Sequence, residues 1–207
     1  LTYNFSSEAM MYGSVRHGYR SGGFSGRARN DSEMKPFDPE KVDEFEAGFK
    51  SDAELGGVPV RLNGAAFFQD YTDIQRQTPI NLGGGAIATI IENAADGEIW
   101  GGELEMQILP TDNLSIAMFY SYTDGEYGSF IGGDGRDRSN EWLILAAKHT
   151  IGTTVAYTQD FADMGELVWT LNLYSQSQVY VYPTNESIAK QGGYILVNAR
   201  VDWNKVA

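Results

Sequence analysis

Along most of this chain apolar and polar side chains take turns one by one, in segments of about 10 to 18 residues. Such a period puts successive side chains on opposite faces, so each segment reads as a strand with one greasy and one wet face. The split is cleanest near the C-terminus, where Ile195, Val197, Ala199, Val201 and Trp203 alternate with Tyr194, Leu196, Asn198, Arg200 and Asp202. Leu167, Trp169, Leu171 and Leu173 likewise oppose Val168, Thr170, Asn172 and Tyr174. Leu104, Met106 and Ile108 oppose Glu103, Glu105 and Gln107, and Phe45, Ala47 and Phe49 oppose Glu44, Glu46, Gly48 and Lys50. Around 114–123, Leu114, Ile116, Met118, Tyr120 and Tyr122 oppose Ser115, Ala117, Phe119, Ser121 and Thr123. Two segments are less regular. In 60–72 the face with Asn63 and Gln69 is read as the wet one, and a strand is expected over 143–158 with Ile151, Val155 and Tyr157 on its apolar face, beside His149 and Thr153.

The connections are alternately short and long. The short ones read Ser6–Ser7–Glu8, Gly56–Gly57–Val58–Pro59, Pro110–Thr111–Asp112–Asn113 and Ala162–Asp163–Met164–Gly165. Longer polar stretches are expected at 24–41, 80–90, 128–141 and 183–192. Long strands with tight turns at one end and large loops at the other predict an all-β, antiparallel, up-and-down transmembrane β-barrel. Soluble sandwiches use strands of about 5 to 6 residues and lack that asymmetry. About nine strands are expected, the first (Leu1–Ser6) incomplete. Because barrel diameter grows with strand number, a set this size cut from a wide cylinder would be an open fragment with two unpaired edges.

Composition narrows the choice. No run approaches the roughly 20 apolar residues of a membrane helix, whereas a tilted barrel strand needs only about 9 to 11. The formal net charge of -13 argues against a nucleic-acid partner, since phosphate contacts need clustered Lys and Arg. Twelve Tyr, 10 Phe and 4 Trp suit interfacial girdles next to outer-membrane lipid. Cysteine is absent, so neither a thiolate nucleophile nor a cysteine metal cluster enters. No nucleophile, base and orienting acid cluster in the sequence, so an enzyme is not expected, and no cofactor is implied. Export to an outer membrane requires a signal segment; none precedes Leu1–Thr2–Tyr3, and the chain is read as an internal piece of a longer protein.

Mid-strand charges share the parity of the other polar residues, as a wet interior requires: a Lys or Arg facing lipid at the midplane would cost about 2–4 kcal/mol. A hairpin of 9–23 and 42–55 would set Arg16 and Arg20 against Glu44, Glu46 and Lys50. Such a lining either guides a charged solute or simply holds a solvated wall together through pairs worth about 0.2–1 kcal/mol each.

Several runs resemble TonB-dependent outer-membrane receptors. Pro36–Phe37–Asp38–Pro39–Glu40 followed by Glu44–Phe45–Glu46–Ala47–Gly48–Phe49–Lys50 is similar to that family's Pro-Glu loop and Glu-x-Gly-x-Lys strand. Asn63–Gly64–Ala65–Ala66–Phe67 through Tyr71–Thr72–Asp73–Ile74–Gln75 resembles its Ala-x-Phe-x-x-x-Tyr-x-Asp-x-Gln strand. Asn93–Ala94–Ala95 with Gly101–Gly102–Glu103–Leu104–Glu105, then Ser121–Tyr122–Thr123–Asp124 and Tyr194–Ile195–Leu196–Val197–Asn198–Ala199–Arg200, follow in the family's order. Ala95 stands where Gly is usual and Gly102 where Val is common. The resemblance implies that residues 1–207 are a late part of a 22-stranded barrel, without its plug domain, its N-terminal strands and its last strands. It further implies active uptake of a scarce small-molecule ligand, commonly a ferric siderophore, sometimes haem, cobalamin or carbohydrate. Energy would come from the TonB complex, through parts outside this chain. A passive porin-like channel and a surface adhesin or interaction barrel are the competing readings.

Ligand contacts are expected in loops and lumen. Arg27 and Arg29 sit in the polar stretch 24–41, where planar, permanently charged guanidinium groups suit an anionic chelate. Arg16 and Arg20 would line the lumen, and Tyr180 and Tyr182 would stand at the outer end of a strand, able to stack on an aromatic ligand. Gly132–Gly133–Asp134–Gly135–Arg136–Asp137 lacks the bidentate Glu of a calcium loop. Gly83–Gly84–Gly85 has no strand-to-helix setting for phosphate, and His17 and His149 lack partner ligands.

Overall fold

Nine of the alternating segments pair side by side in one antiparallel sheet. A computed structural model describes residues 1–26, 34–83, 86–131, 135–182 and 185–204. Its strands are β1 (Thr2–Asn4), β2 (Ala9–Arg20), β3 (Gly23–Phe24), β4 (Pro36–Phe37), β5 (Glu40–Leu55), β6 (Val58–Gly83), β7 (Ala86–Thr111), β8 (Leu114–Phe130), β9 (His149–Asp160), β10 (Glu166–Gln176), β11 (Val179–Tyr180), β12 (Lys190–Gln191) and β13 (Tyr194–Asn204). The main sheet runs β1-β2-β5-β6-β7-β8-β9-β10-β13, every strand beside its sequence neighbour. It is an open, up-and-down wall with β1 and β13 as its edges. The pairs β3–β4 and β11–β12 form small ribbons inside two of the long connections.

All four short joints fall where the sequence places them. Leu55 pairs with Val58 across Gly56–Gly57, both with positive φ (62° and 85°). That is the two-residue hairpin turn whose twist matches the flanking strands, and glycine enters it without a Cβ clash. Thr111 pairs with Leu114 across Asp112–Asn113. The β9–β10 joint is a single 3-10 turn (Ala162–Met164), and Asp160 Oδ1 accepts from the Ala162 N–H at 2.8 Å.

Register fixes the faces, because residues directly opposite share one. Met11, Phe49, Gly64, Leu104, Tyr120 and Ile151 form one continuous row, and Leu62, Met106, Met118, Thr153, Leu173 and Val197 the next. Lys50, Asn63, Glu105, Phe119, Gly152 and Tyr174 form a row on the other side. Asn63 and Gln69 therefore share the polar face with Lys50 and Glu44, as read from the sequence. Mid-strand glycines are covered by the ring directly opposite: Tyr12 over Gly48, Phe49 over Gly64, Phe67 over Gly101 and Phe119 over Gly152. A Cβ on Gly48 would lie 2.7 Å from the Tyr12 ring, so the close approach needs glycine.

The loop end departs from the reading in two places. The stretch 80–90, expected as a polar loop, carries the β6–β7 ladder on to Gly83↔Ala86. Its backbone pairing is consistent with the β-branched Thr78, Ile80, Ile87, Thr89, Ile90 and Ile91. The strand expected over 143–158 begins only at His149. The preceding residues fold back along β8, with the Tyr127 N–H donating to Glu141 O and the Leu143 N–H to Gly125 O. What draws them there is burial: Ile74, Ala95, Tyr127, Phe130 and Leu143 form an apolar cluster with Tyr71, Ile99 and Ala146 around it. β8 correspondingly continues to Phe130, into the stretch expected as loop.

Candidate functional site: the polar face and the loop end

The polar face is cross-linked from strand to strand. Arg16 on β2 pairs with Glu44 (Nε to Oε1, 2.8 Å) and with Glu46 on β5, and Gln69 on β6 donates to the other Glu44 oxygen at 2.6 Å. Arg61 grips Asp52 with two hydrogen bonds, 2.6 and 3.2 Å. Thr154 donates to Asn172 at 2.8 Å, and Tyr174 and Tyr194 both donate to Gln176 Oε1, at 2.9 and 3.0 Å. A cavity of about 500 Å³ opens on this face between Arg61, Asn63, Gln107, Phe119, Asn172 and Tyr174. Such a surface presents hydrogen-bond donors and acceptors from several strands side by side.

At the loop end the connections are bound to one another. Asn185 accepts from the Trp142 N–H (2.8 Å) and donates to the Trp142 carbonyl (3.0 Å), tying the β10–β13 connection to the β8–β9 connection. The Leu145 N–H donates to Tyr180 O at 2.9 Å. Lys148 lies over the Trp142 ring, 4.4 Å from its centroid, while its ammonium pairs with Asp124 at 2.8 Å. Arg76 donates to the hydroxyl of the fully buried Tyr127 at 3.1 Å. In the same connection the Ser139 hydroxyl and N–H both donate to Asp137 and hold its carboxyl below the usual carboxylate range.

The residues singled out in the sequence do not form one cluster. Arg16 lies on the polar face, engaged with two carboxylates. Arg20 ends β2 opposite Glu40 and is exposed. Tyr180 belongs to the short β11 ribbon and meets the Trp142 ring edge-on at 5.8 Å, and Tyr182 beyond it is exposed. Arg27 and Arg29 lie outside the described residues. His17 pairs with Asp43 at 2.7 Å and His149 with the Tyr120 hydroxyl at 2.8 Å, each within the wall. Glu40, Gln75 and Asn93 stand in three separate sequence motifs and meet only in the fold; contacts between residues up to 55 positions apart leave no local signal.

An open antiparallel wall with one apolar face, one hydrogen-bonded polar face, tight turns at one end and elaborated connections at the other is a piece of a large β-barrel. The family model for the TonB-dependent receptor-like β-barrel matches residues 1–206, and the chain belongs to that family. Among solved structures it is similar to the ferric yersiniabactin uptake receptor FyuA from Yersinia pestis, with a TM-score of 0.79 at 21% identity, covering 98% of this chain and 28% of that one. It also resembles BauA, the ferric preacinetobactin receptor from Acinetobacter baumannii, with a TM-score of 0.73 at 16% identity over 100% of this chain and 29% of that one. The copper transporter OprC matches with a TM-score of 0.69 at 15% identity, over 96% of this chain and 29% of that one. These likenesses are of fold, and the chain spans less than a third of each of those proteins.

Proposed function

We propose that this chain is a stretch of barrel wall from an outer-membrane receptor of Gram-negative bacteria that captures a ferric siderophore and imports it with energy from the TonB complex. Membership of the receptor-barrel family over residues 1–206 carries the reading. It is supported by neighbours that are themselves ferric siderophore receptors. In this reading the apolar face meets lipid, and the polar face, with its cavity, meets a plug supplied by another part of the same polypeptide. Arg20, Tyr182 and, outside the described residues, Arg27 and Arg29 are the proposed ligand contacts. Arg16 on the polar face and Tyr180 beside Trp142 are proposed as further ligand contacts.

Iron uptake by cells expressing the complete polypeptide decides the matter. Radio-iron supplied as a ferric catecholate or a ferric hydroxamate is expected to accumulate, and to stop accumulating when the TonB protein is deleted. A large steady conductance of the purified protein in planar bilayers, with uptake indifferent to TonB, would replace the receptor by a passive channel.

A further inference from the structure

Three of the motifs quoted above, far apart in sequence, meet at one point on the loop-end rim. The chain leaves β2 at Arg20, runs out and back through the β3–β4 ribbon and enters β5 at Glu40. Gln75, only 6% exposed, straddles both legs of that excursion. Its side-chain amide donates to Ser21 O at 3.0 Å on the outgoing leg and to Asp38 O at 3.1 Å on the returning leg, with Arg20 O at 3.5 Å. Its own N–H donates to Glu40 Oε2 at 2.9 Å. Asn93 on β7 treats Asp38 as a strand partner would: its Oδ1 accepts the Asp38 N–H at 2.7 Å and its Nδ2 donates to the Asp38 carbonyl at 2.9 Å. The same Nδ2 reaches Asp73 O at 2.7 Å.

What presents Gln75 to the legs is a break in the ladder. Between Tyr71 and Ile74 the β6–β7 register shifts, and Asp73 adopts a positive φ of 58°. Asp96 holds that bulge by accepting the Asp73 N–H at 3.0 Å, while its other oxygen accepts from the Ser129 hydroxyl at 3.0 Å. Bulges re-aim a side chain at the rim of a sheet. Here the re-aimed residue is an amide with two N–H groups, facing the carbonyls of Ser21 and Asp38, which lie outside the strands. A side chain of the same size without donors would take the amide hydrogen bond from Ser21 O and leave Asp38 O held by Asn93 alone.

We propose that Gln75 and Asn93 form a clasp that fixes the β3–β4 ribbon against the rim, acting as positioning residues for ligand capture and not as ligand contacts. The link to capture rests on the receptor reading above; the clasp itself does not. Ribbon position would then set how well an incoming chelate is gripped and leave the transport step untouched.

The test uses the complete receptor in outer-membrane vesicles and cells. In Gln75→Leu and Asn93→Leu without any ligand, amides of 21–26 and 34–39 are expected to exchange about tenfold faster, while β9 and β10 keep their protection. For the ferric catecholate or hydroxamate the wild type takes up, KM should rise about tenfold with the maximal rate retained. Unchanged ribbon exchange overturns the clasp; loss of protection in β9–β10 as well reduces both residues to general structural support and overturns it too. Asp38→Cys with Asn93→Cys keeps the test alive if the leucine variants fail to assemble, the chain having no cysteine of its own. The oxidised pair should behave as wild type and the reduced pair as Asn93→Leu, and a disulfide that raises KM contradicts the proposal. A wild type that imports neither probe sinks the receptor reading, and ribbon exchange then decides the clasp alone.

Discussion

The two ends of the same strands are held by different means. From the tight turns up to about Tyr122 and His149, the wall repeats one rule: backbone ladder, alternate faces, and rings laid over Gly48, Gly64 and Gly152 from the strand opposite. Beyond that level the rule is broken by a bulge at Tyr71/Ile74, by a connection folded back onto β8, and by side-chain amides that replace ladder partners. Among the described residues the buried apolar side chains lie in this second region, five of the eight in the cluster around Tyr127, although it is farthest from the middle of the wall. In the proposed receptor the wall is stabilised by water on one face and lipid on the other, and needs no core of its own. In that reading the rim stands clear of lipid, and it carries a small core of its own around Tyr127.

The largest effect is expected where that core is thickest. Tyr127→Ala should cost the rim about 3–5 kcal/mol, through the cavity and the lost Arg76 hydrogen bond. Hydrogen exchange should show 125–131 and 138–146 losing protection while β9–β10 are unaffected. Spreading of the loss into β9–β10 would mean that the two regions are one cooperative unit. Next comes a pair of neighbours within the wall. Leu173→Arg, in the apolar row with Met118 and Val197, should destabilise the assembled receptor by about 2–4 kcal/mol in a chemical unfolding titration in lipid. Asn172→Arg, one residue away on the polar face, should cost far less, and equal losses would erase the assigned faces. Gly152→Ala is the mildest: its Cβ collides with the Phe119 ring, and overpacking of this kind costs about 1–3 kcal/mol. A neutral result there would show the ring cover to be incidental.

The same contrast explains what could be read in advance. Parity placed Lys50, Asn63 and Glu105 on one face and Phe49, Leu104 and Ile151 on the other, because period two is a local property that pairing only has to respect. The turn Gly56–Gly57 was legible for the same reason. At the rim the outcome hangs on non-local choices. Leu143 alternates acceptably for a strand, yet packing against Tyr127 takes it out of β9. The apolar, β-branched character of 86–91 continues a ladder through a stretch whose glycines read as a loop. The hairpin reading sets Arg16 and Arg20 against a strand carrying Glu44, Glu46 and Lys50, and the register found pairs Arg16 with Glu44 at 2.8 Å. Tyr180 was expected at the end of a long strand; its place beside Trp142 depends on two connections folding together.

The central claim is that one face of this wall meets lipid and the other water, and β10 offers the most direct measurement. Single cysteines at 167–174 in the complete receptor, labelled with a spin probe, report oxygen accessibility from lipid and chelated-nickel accessibility from water. Residues 167, 169, 171 and 173 should be open to oxygen, and 168, 170, 172 and 174 should show the reverse preference, strictly alternating along the strand. Uniform burial at all eight positions, or a period other than two, would contradict the account.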